Sequence, residues 1–239
     1  MSITTVLFDL DGTLLPMDQD EFVGSYFKLL AGKLAAHGYD PKQLIDAVWA
    51  GTAAMVKNTG GKNNEEAFWE KFSQIMGQKA LEDKPLFEEF YRNEFQGVRD
   101  VCGYTPKSAE TIRKVKQLGL RPVLATNPLF PAIATESRIR WAGLEAADFE
   151  LYTTYENMRY CKPNPDYYRE ILERLDLTAK ECLMVGNDVE EDMIAETLGM
   201  KVFLLTDCMI NKEEKDISVY PHGSFEQLWE YLKFNISVL

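Results

Sequence analysis

The sequence predicts an α/β protein in which a doubly wound parallel sheet is interrupted by a block of helices. Three patterns indicate this class. A short β-branched and apolar run over 4–8 leads into a glycine turn. The segment from about 17 to about 99 carries helical periodicity and no convincing strand, and beyond Pro106 strands alternate with helices. Such alternation is typical of a parallel sheet with helices on both faces.

Four sets of apolar residues at helical spacing fill the block between the first strand and Pro106. They predict four helices, the second of which begins after Pro41. The sets are Phe22, Tyr26, Leu29, Leu30 and Leu34; Leu44, Ile45, Val48 and Val56; Phe68, Phe72, Ile75 and Met76; and Leu86, Phe87, Phe90 and Tyr91. The block therefore leaves the sheet after its first strand and returns before its second.

The rest of the chain carries ordinary start and stop signals for alternating elements. Gly119 ends one helix, Pro165 stands at the first position of another, and Ser224 with Gln227 forms a capping box for the last. In chain order we predict a helix over 107–118, a strand over 122–125, a helix over 131–141, a strand over 149–153, a helix from Pro163 and Pro165 to about 175, a strand over 181–185, a helix over 190–198 and a strand over 201–205.

Composition excludes several classes of protein. The formal net charge is −12 and there is no basic run, so we expect neither nucleic acid nor an anionic membrane as partner. No stretch approaches the ~20 apolar residues that a membrane-spanning helix needs. The first five residues lack a secretion signal, and the four cysteines form no C-x-x-C pair. We expect a cytoplasmic protein with reduced thiols. Two histidines are too few for a His-rich zinc site.

Polar residues follow four of the predicted elements where ligands bind in parallel sheets, beyond the carboxyl ends of the strands. They are Asp9 and Asp11, then Thr126 and Asn127, then Lys162, and finally Asp188 and Asp192. Singly each has an ordinary interpretation, since Asp-x-Asp-Gly is often a turn and Asp-x-x-x-Asp can favour a helix dipole. Together they put four carboxylates and one ammonium at one edge, which calls for a cation, and oxygen ligands favour Mg²⁺.

These motifs, in this order, resemble those of the haloacid dehalogenase superfamily. The resemblance rests on Asp9-Leu10-Asp11-Gly12-Thr13, Thr126-Asn127, Lys162-Pro163 and Gly186-Asn187-Asp188-x-x-x-Asp192. It implies a Rossmann-like catalytic core formed by residues 1–16 and 100–239, and a helical cap formed by residues 17–99. The one departure is Asn187, because many members have Gly-Asp directly, but the spacing of the two later aspartates is kept.

The resemblance also implies a role for each motif residue. Asp9 would be the nucleophile and form an aspartyl-phosphate. Asp11 would be the general acid and then the base. Mg²⁺ would be held by Asp9, Asp188 and the Asp11 carbonyl, with Asp192 supporting the site directly or through water. Thr126, Asn127 and Lys162 would bind the phosphoryl group. The expected reaction is hydrolysis of a small phosphorylated metabolite.

The cap is where we expect substrate choice to be made. Its expected hinges are 14–20 and 97–104. The polar, glycine-rich loop over 57–63 supplies Lys57, Asn58 and Lys62 as candidate substrate-binding residues, against the alternative that it is a solvated loop. A closing cap disfavours large phosphoproteins as substrates.

Other functions stay open from the sequence. A sugar-phosphate mutase shares the full motif set. A dehalogenase or phosphonate-cleaving enzyme is disfavoured by Asp11, because a halide leaving group needs no protonation. A binding protein that kept the fold without catalysis is disfavoured because every motif residue is present. The sequence does not indicate the oligomeric state or name the substrate.

Overall fold

Five short strands form one parallel sheet in the computed structural model, which describes residues 2–236. The strands are β1 (Thr5–Phe8), β2 (Arg121–Leu124), β3 (Cys182–Gly186), β4 (Lys201–Leu205) and β5 (His222–Gly223). Their order across the sheet is β2-β1-β3-β4-β5, and every neighbouring pair is parallel. The predicted α/β class is therefore confirmed.

The described part of the chain contains nine α-helices. They are α1 (Gln19–Ala35), α2 (Pro41–Val56), α3 (Asn64–Met76), α4 (Lys79–Glu82), α5 (Lys84–Arg92), α6 (Pro106–Gln117), α7 (Ala132–Trp141), α8 (Pro165–Arg174) and α9 (Phe225–Asn235). Within residues 2–236, none of them combines the length and the apolar character that crossing a bilayer would take.

The sheet buries both of its faces, as a doubly wound fold requires. Side chains alternate along a strand, so Val6 and Phe8 of β1 point to one face while Leu7 points to the other. The first face packs against α6, α7 and α9, and the second packs against α8 and a 3₁₀ helix, Met193–Leu198. Strands buried on both sides explain the almost wholly apolar sequence of β1, β3 and β4.

Helices α1 to α5 and a 3₁₀ helix, Glu94–Val101, form a helical insert between β1 and α6. The short α4 is an addition to the four helices that the periodicity predicts. Backbone contacts join the two chain segments that connect the insert to the sheet domain. Met17 forms an antiparallel bridge with Cys102, and the Gly103 amide donates to the Pro16 carbonyl at 2.7 Å.

Aromatic rings join the insert to the sheet domain. Phe22 and Tyr26 of α1 contact Phe130, with ring centroids 6.0 and 5.4 Å apart, and Phe95 stacks on Trp141 of α7 at 5.2 Å. The buried apolar residues of the insert are continuous with those on the first face of the sheet. The insert and the sheet domain therefore share one hydrophobic core.

Two predicted elements differ from what the structure shows. Residues 149–153 are not a strand but form a single bridge, Leu124 with Tyr152. The Leu124 amide donates to the Leu151 carbonyl and the Glu150 amide donates to the Pro122 carbonyl, but Pro122 has no N–H to add another bond on the same side of β2. The helix predicted over 190–198 is only the 3₁₀ helix Met193–Leu198, which Gly199 ends in a left-handed conformation.

Candidate active site

Lys162 lies at the centre of the polar residues beyond the strand ends. Its ammonium is 2.9 Å from Asp9 Oδ1 and 2.6 Å from Asp192 Oδ1, and its side chain is fully buried. Burial acts to lower the pKa of Lys162, but the carboxylates of Asp192 and Asp9 outweigh it and hold that pKa well above its usual value. Lys162 is therefore a fixed positive charge between two acids, one directly after β1 and one in the segment after β3.

The turn after β1 is fixed to the turn after β3 through Thr13 and Asn187. The Thr13 hydroxyl lies 2.8 Å from Asn187 Oδ1 and 3.2 Å from Asp9 Oδ2, and Asn187 Nδ2 donates to the Cys208 carbonyl at 2.7 Å. Gly12, with φ +81°, passes so close to the Asn187 amide that a Cβ there would overlap it. Asn187, the departure from the usual motif, thus orients the loop that carries the nucleophile candidate.

Asp188 and Asp192 have different surroundings. Asp188 Oδ1 accepts the amides of Glu190 and Glu191 at 2.8 Å, and burial raises the pKa of the Asp188 carboxyl. Asp192 is buried, and its two oxygens contact Lys162 and the Asp188 amide, the latter at 3.0 Å. Asp192 therefore holds Lys162 and the Asp188 backbone in place.

Asp11 forms an ion pair that crosses 127 positions of the chain. Its Oδ2 accepts from Arg138 of α7, whose side chain is buried, whereas Asp11 Oδ1 is buried without a hydrogen-bond partner. Burial raises the pKa of the Asp11 carboxyl, while the Arg138 guanidinium acts in the opposite direction. Arg138 also lies over the Phe130 ring, 4.6 Å from its centroid.

Thr126 and Asn127 follow β2 at the same edge. Thr126 is buried, and its carbonyl accepts the Thr153 hydroxyl at 2.6 Å and the Tyr167 hydroxyl at 2.9 Å, which fixes the loop. Asn127 Nδ2 lies 3.0 Å from both carboxylate oxygens of Glu191, and burial raises the pKa of Glu191 to about 7.

The loop over 57–63 lies against the segment before Lys162, where Gly60 approaches Tyr160. Lys57 is exposed, and Lys62 forms an exposed ion pair with Glu70. The Asn58 side chain donates to the Lys62 carbonyl at 2.9 Å and to Asn64 Oδ1 at 3.0 Å, which closes the loop on itself. The structure does not bring these three candidates to the cavity described next.

A cavity of about 290 Å³ separates the helical insert from the strand ends. Asp11, Asn127 and Glu191 line one end of it. The remainder is lined by the insert, chiefly α1, α2, α3 and α5, and by the segment after β2. A group bound there would therefore contact Asp11 and the helices at once.

The oxygen ligands at the strand ends suit a hard cation that needs few ligands from the protein. Among the described residues no three Asp, Glu, His or Cys side chains are close enough to hold a metal alone. Asp9 and Asp188 nevertheless follow neighbouring strands whose register pairs Phe8 with Val185. Mg²⁺ is commonly held by one or two carboxylates, with waters and substrate phosphate completing the shell. Two carboxylates and the Asp11 carbonyl fit that pattern.

The sequence motifs assign no role to three residues of this site. Arg138, Asn187 and Glu191 form contacts with Asp11, Thr13 and Asn127. Asn187 and Glu191 sit inside a recognised motif, so their position was a usable signal. For Arg138 there was none, because an arginine on a helix is ordinarily solvated.

Comparison with known proteins agrees with this geometry. A family model described as haloacid dehalogenase-like hydrolase matches residues 3–195. The chain is 25% identical over 207 residues to ribulose-1,5-bisphosphate 5-phosphatase of Halopiger xanaduensis, covering 84% of each chain. It is 23% identical over 201 residues to pyrophosphatase PpaX of Bacillus cereus, covering 84% of this chain and 82% of that one.

Solved structures share the fold. A HAD phosphatase from Thermococcus onnurineus matches with a TM-score of 0.61 at 17% identity, covering 99% of this chain and 100% of that one. The HAD-hydrolase YfnB of Bacillus subtilis, described as bound to magnesium, matches with a TM-score of 0.57 at 18% identity, covering 97% and 99%. With its family model spanning most of the sheet domain and the whole insert, the chain belongs to the haloacid dehalogenase-like hydrolases.

Proposed function

We propose that this chain is a magnesium-dependent phosphatase that hydrolyses a small phosphorylated metabolite through an aspartyl-phosphate. The observation that carries the proposal is the buried Lys162 ammonium between Asp9 and Asp192, with Asp11 beside Asp9 at the end of the cavity. A charge-neutralised carboxylate next to a second carboxyl is what acyl-phosphate chemistry needs, a nucleophile and a proton donor.

In the first proposed step Asp9 attacks phosphorus. An oxygen of Asp9 forms the new bond to phosphorus while the bond to the leaving-group oxygen breaks. Asp11 gives its proton to that oxygen, so that a neutral alcohol departs into the cavity. The Thr13 hydroxyl and the Lys162 ammonium hold the Asp9 carboxylate in one orientation, which lowers the entropic cost of the attack.

In the second proposed step Asp11 acts as base. It takes a proton from water as the water oxygen attacks phosphorus, and the bond between phosphorus and Asp9 breaks to release phosphate. Arg138 keeps the Asp11 carboxyl aimed at the strand ends in both steps. Lys162, Thr126 and Asn127 would bind the phosphoryl oxygens.

Magnesium would be held by Asp9, Asp188 and the Asp11 carbonyl. When bound it would neutralise charge on the phosphoryl oxygens. Asp192 takes the supporting role, because its oxygens are already engaged by Lys162 and by the Asp188 amide.

The helical insert is proposed to act as the cap, with residues 17–99 moving against 1–16 and 100–239. The bridge between Met17 and Cys102 brings together the two connecting segments in which we propose the hinges, which supports a joint movement of the insert. Lys57, Asn58 and Lys62 would reach a substrate only if their loop rearranged. We therefore place substrate contacts on the cavity walls of the insert instead.

Relatives named for ribulose 1,5-bisphosphate and pyrophosphate support a small phosphorylated substrate. The test is phosphate release from a panel of phosphorylated metabolites with Mg²⁺ and again with excess chelator. Asp9→Asn should abolish turnover, whereas Asp46→Asn, at an exposed pair on α2, should not. Chelator-resistant turnover, or turnover that survives in Asp9→Asn, would overturn the proposal.

A further inference from the structure

The walls of the cavity are unusually rich in aromatic rings. Ten of its 24 lining residues are Phe, Tyr or Trp. Among them Phe22 and Tyr26 come from α1, Trp49 from α2 and Trp69 from α3. Asp11 lies at one end, so the leaving group of a phosphate ester bound at Asp9 would extend between these rings.

Polar groups among the aromatic walls are paired with protein, whereas Asp11 Oδ1 and Asn127 Oδ1, on the side of the strand ends, have no hydrogen-bond partner among the described residues. The hydroxyls of Tyr26 and Tyr91 lie 3.1 Å apart, Trp69 Nε1 donates to the Tyr155 hydroxyl at 3.4 Å, and Thr52 donates to the Val48 carbonyl at 3.0 Å. Trp69 Nε1 and the Thr52 hydroxyl would each give up a partner if they turned to a ligand. A leaving group with several hydroxyls would therefore gain little from these two donors.

The charges on the walls also restrict the ligand. Lys84 is the one cationic residue among the described lining residues, and it is 3.4 Å from Glu65 and 4.9 Å from the Trp69 ring centroid. Glu88 adds a carboxylate on the side of the insert, beside the Glu65 carboxylate that pairs with Lys84. A second phosphate in the cavity would meet carboxylates with no free counterion, which disfavours it.

Trp49 offers an open aromatic surface at this cavity. It is 50% exposed, although it contacts Phe27 with ring centroids 5.3 Å apart. Rings pack favourably at centroid distances of roughly 4.5–7 Å in tilted or edge-on arrangements, the geometry that the existing pairs here adopt. The cavity volume of about 290 Å³ is near the lower end of the roughly 300–1,000 Å³ usual for small-ligand sites.

We propose that the substrate is a phosphate monoester of an aromatic alcohol with no second anionic group. This inference rests on the phosphatase function proposed above, and it names the leaving group that the insert recognises. The ring would lie between the aromatic walls, with its ester oxygen at Asp11 and its phosphoryl group at Asp9 and Lys162.

The test compares esters of alcohols with similar acidity, so that intrinsic reactivity does not differ. We expect kcat/KM for 2-phenylethyl phosphate to exceed that for 2-cyclohexylethyl phosphate by at least about fivefold. The kcat/KM for 2-phenylethyl phosphate should exceed that for glycerol 3-phosphate by a larger factor. The kcat/KM for butyl phosphate should exceed that for 1,4-butanediol bisphosphate by at least about tenfold. Equal kcat/KM values for the phenylethyl and cyclohexylethyl esters, or for the butyl ester and the bisphosphate, would overturn the substrate class while leaving a phosphatase.

A binding measurement separates this inference from hydrolysis itself. Tryptophan fluorescence reports binding directly, because Trp49 and Trp69 line the cavity. We expect 2-phenylethylphosphonate, which is not hydrolysed, to bind at least about fivefold more tightly than 2-hydroxyethylphosphonate. That result without turnover of any ester would refute the proposed function but support the aromatic site. Equal affinities would refute the aromatic site.

A matched pair of variants tests whether Trp49 causes the preference for an aromatic leaving group. Trp49→Ala should lower the ratio of kcat/KM for 2-phenylethyl phosphate over glycerol 3-phosphate by about fivefold. Phe234→Ala removes an 85% exposed ring on α9 and should leave that ratio unchanged. An unchanged ratio in Trp49→Ala would contradict a binding surface at this ring.

Discussion

Replacing Lys162 by methionine should destabilise the protein through the two acids that it leaves behind. Methionine fills a similar volume, so the change removes the charge and little packing. The Asp192 side chain is 1% exposed and that of Asp9 is 11% exposed. Removing one partner of a buried ion pair costs about 3–5 kcal/mol, because the remaining charge has no counterion. We expect a loss of that size in the free energy of unfolding.

The double variant Lys162→Met with Asp192→Asn tests the cause. The asparagine is neutral and its carbonyl can still accept the Asp188 amide, so the pair no longer contains a buried, unpaired carboxylate. We therefore expect the double variant to be more stable than the sum of the two single losses predicts, by about 2–3 kcal/mol. If Lys162→Met alone does not fold, recovery of folded protein in the double variant reports the same coupling.

Urea unfolding in the presence of chelator, followed by circular dichroism, measures the free energy of unfolding without a metal contribution. The four proteins compared are the wild type, Lys162→Met, Asp192→Asn and the double variant. Lys42→Met is the matched control, because Lys42 pairs with Asp46 at 2.9 Å but is 88% exposed. It should cost no more than about 0.5 kcal/mol. A loss below about 1 kcal/mol in Lys162→Met, or single losses that simply add, would refute the electrostatic account.

Three further predictions concern the same site. A Cβ at Gly186 would overlap the Asp192 carboxylate, so Gly186→Ala should lower kcat and raise the Mg²⁺ concentration needed for half-maximal activity. Gly24 on α1 has open space around it, so the control Gly24→Ala should raise the free energy of unfolding by about 0.5–1 kcal/mol. Arg138→Met should lower kcat by about 10–100-fold on alkyl phosphates but less on p-nitrophenyl phosphate, whose leaving group needs no proton from Asp11; equal losses on both esters would contradict a role through Asp11. Burial raises the pKa of Glu191 to about 7 in the folded protein, so its proton stabilises the fold at low pH and that stability is lost as pH rises from about 4.3 through 7. Stability of the metal-free protein should therefore fall less steeply over this range in Glu191→Gln, and parallel curves for the two proteins would count against a raised pKa.

The motif acids could be placed from sequence because the carboxyl ends of parallel strands meet at one edge. Asp9 follows β1 and Asp188 follows β3, and these strands are neighbours in register. The strand itself was readable because both of its faces are buried, which makes its sequence continuously apolar. Local pattern was therefore sufficient wherever a residue's position depends on its own strand.

Contacts that depend on distant segments were not readable. The ion pair of Arg138 with Asp11 requires α7 to pack beside the β1 turn, and nothing within α7 indicates that packing. The loop over 57–63 was a plausible substrate loop by composition, yet its polar groups bond to one another and Gly60 lies against Tyr160. Single-sequence patterns report which groups are polar but not which partners satisfy them.

The aromatic contacts of Phe22, Tyr26 and Phe95 with Phe130 and Trp141 bear on how such enzymes diversify. A helical insert that shares its apolar interior with the sheet domain is not an interchangeable module. Grafting the insert of a relative onto this sheet would leave Phe130 and Trp141 facing an uncomplementary surface, with a loss of solubility before any gain of a new substrate. New specificity in this lineage is thus expected to arise by substitutions within the existing insert, at cavity rings such as Trp49 that face away from the shared interior.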